Sequence, residues 1–408
     1  MKLGFYIILC AQFLSALADN ALLFAAIALL QNLSAPSWHT PVLQEFFVVS
    51  YILLAPFVGA FADALPKGRV MFISNNIKLI GCFAMLAGLN PLYAYGIVGF
   101  GAAAYSPAKY GILTEYLPPA KLVAANAWME GATVAAIVLG AILGGLMLNS
   151  DISGNILLHL PFLGDIGVAK LAIVLITLLY IAAALANLFI PCIAMDHRPP
   201  KRNPLFLLHD FWHSFKLLWR DPLGQVTLAV TTLFWGAGAT LRLVILTWAG
   251  LVLKYDMQQA TQLTAIVAVG IAIGSVLAGR YIKLQDSIKV LPAGIVMGLV
   301  VIGMMFVNDP LIAAGLLMII GGLGGFFVVP MNALLQHRGH LLMGAGHSIA
   351  VQNFNENLSI LVLLGFYALM DRAGWPMDWI IIAFGSFISL SMLTIQIRFR
   401  RIGGVQHI

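Results

Sequence analysis

The chain has 408 residues, of which 61% are hydrophobic and only 9% charged, and its mean hydropathy is +0.96; soluble domains carry roughly 25% charged residues. A soluble enzyme, a nucleic-acid binder and a disordered scaffold are excluded as readings of the whole chain, because it is filled with apolar runs of the length that signals membrane spans, about 18 residues or more. The formal charge of +6 and the pI near 9.2 report topology before any anionic partner, since Lys and Arg collect on cytoplasmic loops.

From the N-terminus, Lys2, the apolar run to Cys10 and the triplet Ala16-Leu17-Ala18 imitate a secretory signal. The apolar stretch Ala21 to Leu30 follows directly, so one continuous span over 4–30 is the better reading. Polar, Pro and Gly clusters then separate spans at 42–64, 70–89, 91–113, 122–148 and 168–194. The fifth and sixth are joined by a long outward loop, Asn149 to Gly167. Next comes the longest cytoplasmic connection, Asp196 to Pro222, with Arg198, Lys201, Arg202, Lys216, Arg220 and an amphipathic stretch Phe206 to Trp219, which suits a helix lying on lipid headgroups. Six more spans follow at 223–252, 260–283, 288–307, 311–335, 345–370 and 376–397. The predicted fold is an all-α membrane protein of twelve transmembrane helices in two pseudo-symmetric six-helix bundles, 1–195 and 223–408, joined by the linker 196–222. Cys10, Cys82 and Cys192 lie in or beside apolar segments, so neither a disulfide framework nor a metal site is expected, and no cofactor is called for.

Charge sorting tests this topology. Sixteen of the 22 Lys and Arg fall at the termini or on loops of the same side, and only Lys170, Lys254 and Arg372 fall opposite; both termini are therefore expected in the cytoplasm. An internal repeat supports the two halves: Pro107 aligns with Pro330, and Asn126 to Glu130 with Gln352 to Glu356. Parallel halves of this kind resemble the architecture of major facilitator transporters.

Lys78, Lys109, Arg242, Asp19, Glu130 and Glu356 lie within spans, where a charge costs several kcal/mol or more and marks a bundle interior or aqueous cavity. Asp19, Lys109, Arg242 and Glu356 come from both halves, so a shared cavity holding both signs is expected. Pairing of these four as an inter-bundle lock is the structural alternative. Lys78 and Glu130 fit a structural or coupling role better, and Lys78 is near enough the cytoplasm to snorkel. Arg binds phosphate bidentately and Lys as a point charge, whereas Asp and Glu suit an ammonium. With the amides Asn20, Gln352, Asn353, Asn355 and Asn357, the set fits a zwitterion carrying phosphate and ammonium. Gly140, Gly144, Gly145 and the cluster Gly321, Gly322, Gly324, Gly325 suit close helix approach.

The segment Gly59 to Arg69 resembles the major facilitator signature loop, whose Asp63 and Arg69 would act as a conformational latch, although four residues rather than the usual two separate Asp63 from Gly68. Its counterpart, Gly274 to Lys283, keeps Arg280 but lacks the Asp. Together with Ser15-Ala-Leu-Ala-Asp-Asn-Ala-Leu-Leu-Phe24, Lys67-Gly-Arg-Val-Met71, Gly101-Ala-Ala-Ala-Tyr-Ser-Pro-Ala-Lys-Tyr-Gly-Ile-Leu113, Gly324-Gly-Phe-Phe-Val-Val-Pro-Met-Asn-Ala-Leu-Leu-Gln336 and Gly344-Ala-Gly-His-Ser-Ile-Ala-Val-Gln-Asn-Phe-Asn-Glu-Asn357, the chain resembles the bacterial lysophospholipid transporters of the major facilitator superfamily. The resemblance implies a flippase of the inner membrane that moves lysophosphatidylethanolamine and related lysophospholipids to the inner leaflet, where an acyltransferase/acyl-carrier-protein synthetase partner re-acylates them. It also implies substrate contacts at Asp19, Asn20, Lys109, Arg242, Glu356 and Asn357, and Tyr110, Gln352 and Asn353 are expected to join them as neutral substrate-binding groups. Two alternatives stand beside it. One is a proton-coupled drug or amphiphile exporter using Asp19, Glu130 or Glu356. The other is a membrane acyltransferase, disfavoured because His159 to Asp165 has five intervening residues where the acyltransferase motif has four. No Gly-x-Ser-x-Gly elbow is present.

Overall fold

The computed structural model describes residues 3–36, 39–149, 166–193 and 203–401. Among them are thirteen α-helices: α1 (Leu3–Asn32), α2 (His39–Ala64), α3 (Lys67–Leu86), α4 (Pro91–Tyr116), α5 (Leu122–Met147), α6 (Val168–Leu188), α7 (Pro204–Arg220), α8 (Pro222–Trp248), α9 (Met257–Tyr281), α10 (Leu291–Gly303), α11 (Pro310–Met343), α12 (Ala345–Arg372) and α13 (Met377–Arg401). Each predicted span is met by a helix, and the amphipathic linker by α7. The continuity of α1 across Ala18 agrees with a single span there. The core of the outward loop, with the His159 to Asp165 motif, and the basic start of the linker, with Arg198, Lys201 and Arg202, lie outside the described residues.

Hydropathy and length support ten membrane-crossing helices rather than twelve among the described residues. The two others, α4 and α12, have 26 and 28 residues, or roughly 39 and 42 Å at ~1.5 Å per residue, ample for a hydrocarbon core of about 30 Å. Their polar residues lower the hydropathy: Ser106, Lys109 and Glu115 on α4, and Gln352, Asn353, Asn355, Glu356 and Asn357 on α12. Boundaries also shift. Helix α9 runs through Tyr281, so most of the supposed loop Gly274 to Lys283 is helical, and only Leu65 and Pro66 separate α2 from α3. The predicted span 288–307 is a shorter α10 flanked by 3-10 turns, Leu284–Val290 and Met304–Phe306.

The chain divides into two compact units. The first comprises Met1–Glu115, Ala135–Phe211 and Ala345–Ala350, and the second Tyr116–Val134, Trp212–Gly344 and Val351–Ile408. The boundary thus passes through α5, α7 and α12 and sets off the last residue of α4.

Lipid tails are as apolar as leucine, so helices in a bilayer associate through close packing of small residues rather than through hydrophobic burial. In the first unit, a Cβ on Gly101 of α4 would stand 2.6 Å from the Lys78 side chain and 2.7 Å from the Ser74 carbonyl oxygen of α3. One on Gly140 of α5 would stand 2.7 Å from Asn20 Cβ of α1. Buried Ala18, Leu22, Cys82, Ile173, Ile176 and Tyr180 fill the space where α1, α3 and α6 meet. In the second unit α9 and α11 touch backbone to backbone, because Cβ atoms on Gly274 and Gly321 would collide with the carbonyls of Gly322 and Val267. Gly145 and Gly322, by contrast, have open space or ordinary contact beside them. Leu53, Ile80, Phe83, Leu178, Leu299 and Phe366 are exposed, the outward apolar coat that a lipid environment requires.

Candidate functional site

In the first unit the mid-membrane charges form an ion pair. Counting ~1.5 Å per residue from the helix starts, Asp19 of α1 lies about 24 Å along its helix and Lys78 of α3 about 16 Å along its own. Lys78 Nζ donates to both Asp19 carboxylate oxygens at 2.8 Å and to Ser15 Oγ at 3.0 Å. The Tyr180 hydroxyl of α6 donates to Asp19 Oδ1 at 2.6 Å, and Ser15 Oγ donates to Asn75 Oδ1 at 2.8 Å. The ammonium also faces the rings of Tyr105 and Tyr180 at 4.9 and 5.5 Å. The Lys78 side chain is 1% exposed and that of Asp19 22%, so Lys78 does not snorkel. A partly buried carboxylate on a neighbouring helix holds it inside, and α3 begins early enough, at Lys67, to carry it deep. Asn20 donates to the Ala16 carbonyl of its own helix at 2.8 Å. Lys109 sits over the Tyr110 ring at 4.5 Å, about two turns before the C-terminal end of α4.

A second polar cluster in the same unit sits where α2, α3, α4 and α12 begin or end. Asp63 accepts from Lys67 Nζ at 2.7 Å, from the backbone amides of Gly346 and His347 at 2.7 and 3.0 Å, and lies 2.7 Å from His347 Nδ1. The free amides at a helix start and its dipole favour a carboxylate there, which explains why an Asp caps the first turn of α12. Lys67 also reaches Glu115 at 3.1 Å, and His347 Nε2 lies 3.1 Å from Asp210 of α7. Arg69 is exposed, and Lys67 occupies the pairing position beside Asp63.

The second unit carries amide networks. Gln352 Nε2 donates to Glu356 Oε1 at 2.7 Å and to Asn332 Oδ1 at 2.9 Å. Asn126 and Gln336 exchange reciprocal hydrogen bonds of 2.9 Å. Glu130 and Glu356 are buried, at 6% and 8% exposure. Asn353 is buried, and Asn357 donates to its carbonyl at 2.8 Å. Arg242 is exposed about 30 Å along α8, with no ion pair or hydrogen bond among the described residues. At the opposite end of α8, the Arg338 guanidinium donates to Asp221 at 2.7 to 3.1 Å. Burial alone would raise the Asp221 carboxyl, but hydrogen bonds from Arg338 and from the Gly224 and Leu223 amides outweigh it and hold the group below the ordinary carboxylate range. No group of three or more His, Cys, Asp or Glu converges on a metal position among the described residues.

Sequence reasoning passed over Tyr180, Asn75, Asp210, His347 and Glu115. The repeat contained one signal, because Glu115 and Arg338 stand equally far beyond Pro107 and Pro330, and both form ion pairs in their own units.

Residues 8–363 match the family model described as Major Facilitator Superfamily. The chain is 45% identical over 370 residues to proteins named lysophospholipid transporter LplT from Yersinia pestis (strain Pestoides F) and Yersinia pseudotuberculosis (serotype O:3, strain YPIII), covering 90% of this chain and 87% of each relative. Its fold is similar to that of the transporter FucP in the outward conformation, with TM-score 0.75 and 12% identity over 98% of this chain and 99% of that one. It is also similar to the human organic anion transporter MFSD10, with TM-score 0.72 and 14% identity over 97% and 100% of the two chains.

Proposed function

The chain belongs to the Major Facilitator Superfamily, and from that premise we propose that it moves lysophospholipids, lysophosphatidylethanolamine among them, from the outer to the inner leaflet of a bacterial inner membrane. It is a multi-pass membrane transporter and not an enzyme. The observation that carries the substrate is the 45% identity to lysophospholipid transporters over nearly the full length of both chains. Transport proceeds by alternating access between six-helix bundles 1–195 and 223–408, with both termini cytoplasmic, and the product passes to an acyltransferase/acyl-carrier-protein synthetase for re-acylation.

Within this reading Arg242, exposed and without a protein partner among the described residues, takes the phosphate first, and Lys109, nearer the cytoplasm, receives it later. Glu356, oriented by Gln352, and Asp19 take the ammonium. At Asp19 the incoming ammonium takes over a carboxylate that Lys78 holds between cycles. Asn20, Tyr110, Asn353 and Asn357 contribute neutral contacts, and Asp63 and Arg69 serve as the cytoplasmic latch. Leaflet-resolved movement of labelled lysophosphatidylethanolamine in vesicles tests the proposal. Protein-dependent inward movement of the single-chain lipid, lost in Asp19→Ala and Arg242→Ala, is expected. A folded, correctly oriented protein that moves none would overturn the reading.

A further inference from the structure

His347 touches a carboxylate with each ring nitrogen: Nδ1 lies 2.7 Å from Asp63 Oδ2 and Nε2 lies 3.1 Å from Asp210 Oδ2. A neutral imidazole carries one N–H and one lone pair, so it can satisfy only one of these oxygens, and its bare nitrogen would face the other carboxylate lone pair to lone pair. Both contacts are made together only by the doubly protonated ring. The two contacts are not equivalent. Asp63 is additionally held by Lys67 and by the Gly346 and His347 amides, none of which depends on the ring proton, whereas His347 is the partner the structure gives Asp210. The charged groups around the ring are therefore Asp63 of α2, Lys67 of α3, Glu115 of α4 through Lys67, and Asp210 of α7. The His347, Asp63 and Asp210 side chains are 18%, 24% and 37% exposed, so protons reach them from the aqueous phase. Histidine is the side chain whose charge changes near neutrality.

We propose that His347 is a proton-operated clasp: charged, it ties the N-terminal half of the linker helix α7 to the Asp63 corner, and on losing its proton it keeps Asp63 and releases Asp210. Only the consequence for turnover rests on the transporter reading. Rising cytoplasmic pH unfastens the connector from the latch and so speeds the step that opens this end.

The test follows Phe211, the buried neighbour of Asp210 on α7. Phe211→Cys is placed in the full-length protein with exposed Cys10 and Cys192 changed to Ser and buried Cys82 retained. Maleimide labelling is measured from about pH 5.5 to about pH 9, bracketing ordinary histidine titration. Each rate is divided by that of the same protein carrying Asp210→Asn, which removes the pH dependence of the thiol itself. Protection of about tenfold at the acid end, the worth of one charge-assisted hydrogen bond, is expected to vanish at the alkaline end. His347→Arg should stay protected throughout and His347→Ala should be unprotected throughout. Protection that does not change with pH, or that titrates in His347→Arg as in the parent, would overturn the clasp. The labelling needs no substrate, so a titrating clasp in a protein that moves no lysophospholipid would refute the functional reading alone.

Discussion

Replacing Lys78 by Met keeps most of the side-chain volume and removes the cation that Asp19 faces. Three short contacts go with it, two to Asp19 at 2.8 Å and one to Ser15 at 3.0 Å. Removing one member of a buried ion pair costs about 3–5 kcal/mol, because the other charge is left uncompensated. Asp19 retains the 2.6 Å hydrogen bond from Tyr180 and is 22% exposed, so solvent offsets part of the loss and the lower end applies, about 3 kcal/mol, or roughly a hundredfold in the folding equilibrium at ~1.4 kcal/mol per tenfold. The double variant Asp19→Asn, Lys78→Met removes both charges and should recover most of that loss; with about 3 kcal/mol lost in each single variant and about 1 kcal/mol in the double, the coupling energy is about 5 kcal/mol. A double-mutant cycle by reversible unfolding in bilayer discs measures it. A coupling energy near zero, with Lys78→Met as stable as the parent, would show that the pair is not held as described.

Arg242→Ala is expected to lower lysophosphatidylethanolamine movement by more than tenfold in a folded protein, with Arg242→Lys recovering part of it, since a point charge lacks the bidentate fork; equal loss in both would point away from phosphate. Asp221 has its carboxyl depressed in the folded state, so its contribution is present above the unfolded value of about 3.9 and is lost as pH falls through the lower folded one. Arg338→Ala should remove about 1 kcal/mol of stability at neutral pH, a figure reduced for the partial exposure of the guanidinium, with the gap to the parent closing in acid. Gly274→Val should cost about 3 kcal/mol or prevent assembly by forcing α9 from α11, read as lost yield of folded protein, while Gly145→Ala, with open space around it, should be silent.

Sequence legibility followed the physics of each signal. Apolar runs and loop punctuation placed helices well, because a bilayer dictates their length. They failed where secondary structure changes without a change of composition, as at the 3-10 turns around α10 and the helical run to Tyr281. Single charges in spans were readable as important, but their partners were not. Nothing in the local sequence says that Lys78 turns toward Asp19, 59 residues away, or that Asp210 meets a histidine 137 residues later. The hydrogen-bonded corner at Asp63 was half legible. Asp63 follows from the motif, whereas its replacement partners, Lys67 and the first amides of α12, depend on how tightly Gly59 lets that helix approach, a Cβ there standing 3.0 Å from His347 Cα.

The low hydropathy of α4 and α12 also bears on how the chain is made. A helix carrying charges, as α4 does, or an acid with several amides, as α12 does, leaves the translocon for lipid reluctantly when it arrives alone, since each ionised group near the membrane centre adds ~2.5 kcal/mol or more. Both helices meet partners already synthesised: Lys67 of α3 awaits Glu115, and Asn332 of α11 awaits Gln352. Nascent α4 and α12 can therefore be retained by polar groups on the preceding segments, so a lesion at Lys67 or Asn332 would first be felt at the ribosome, as a mis-inserted helix, before any lipid has been carried.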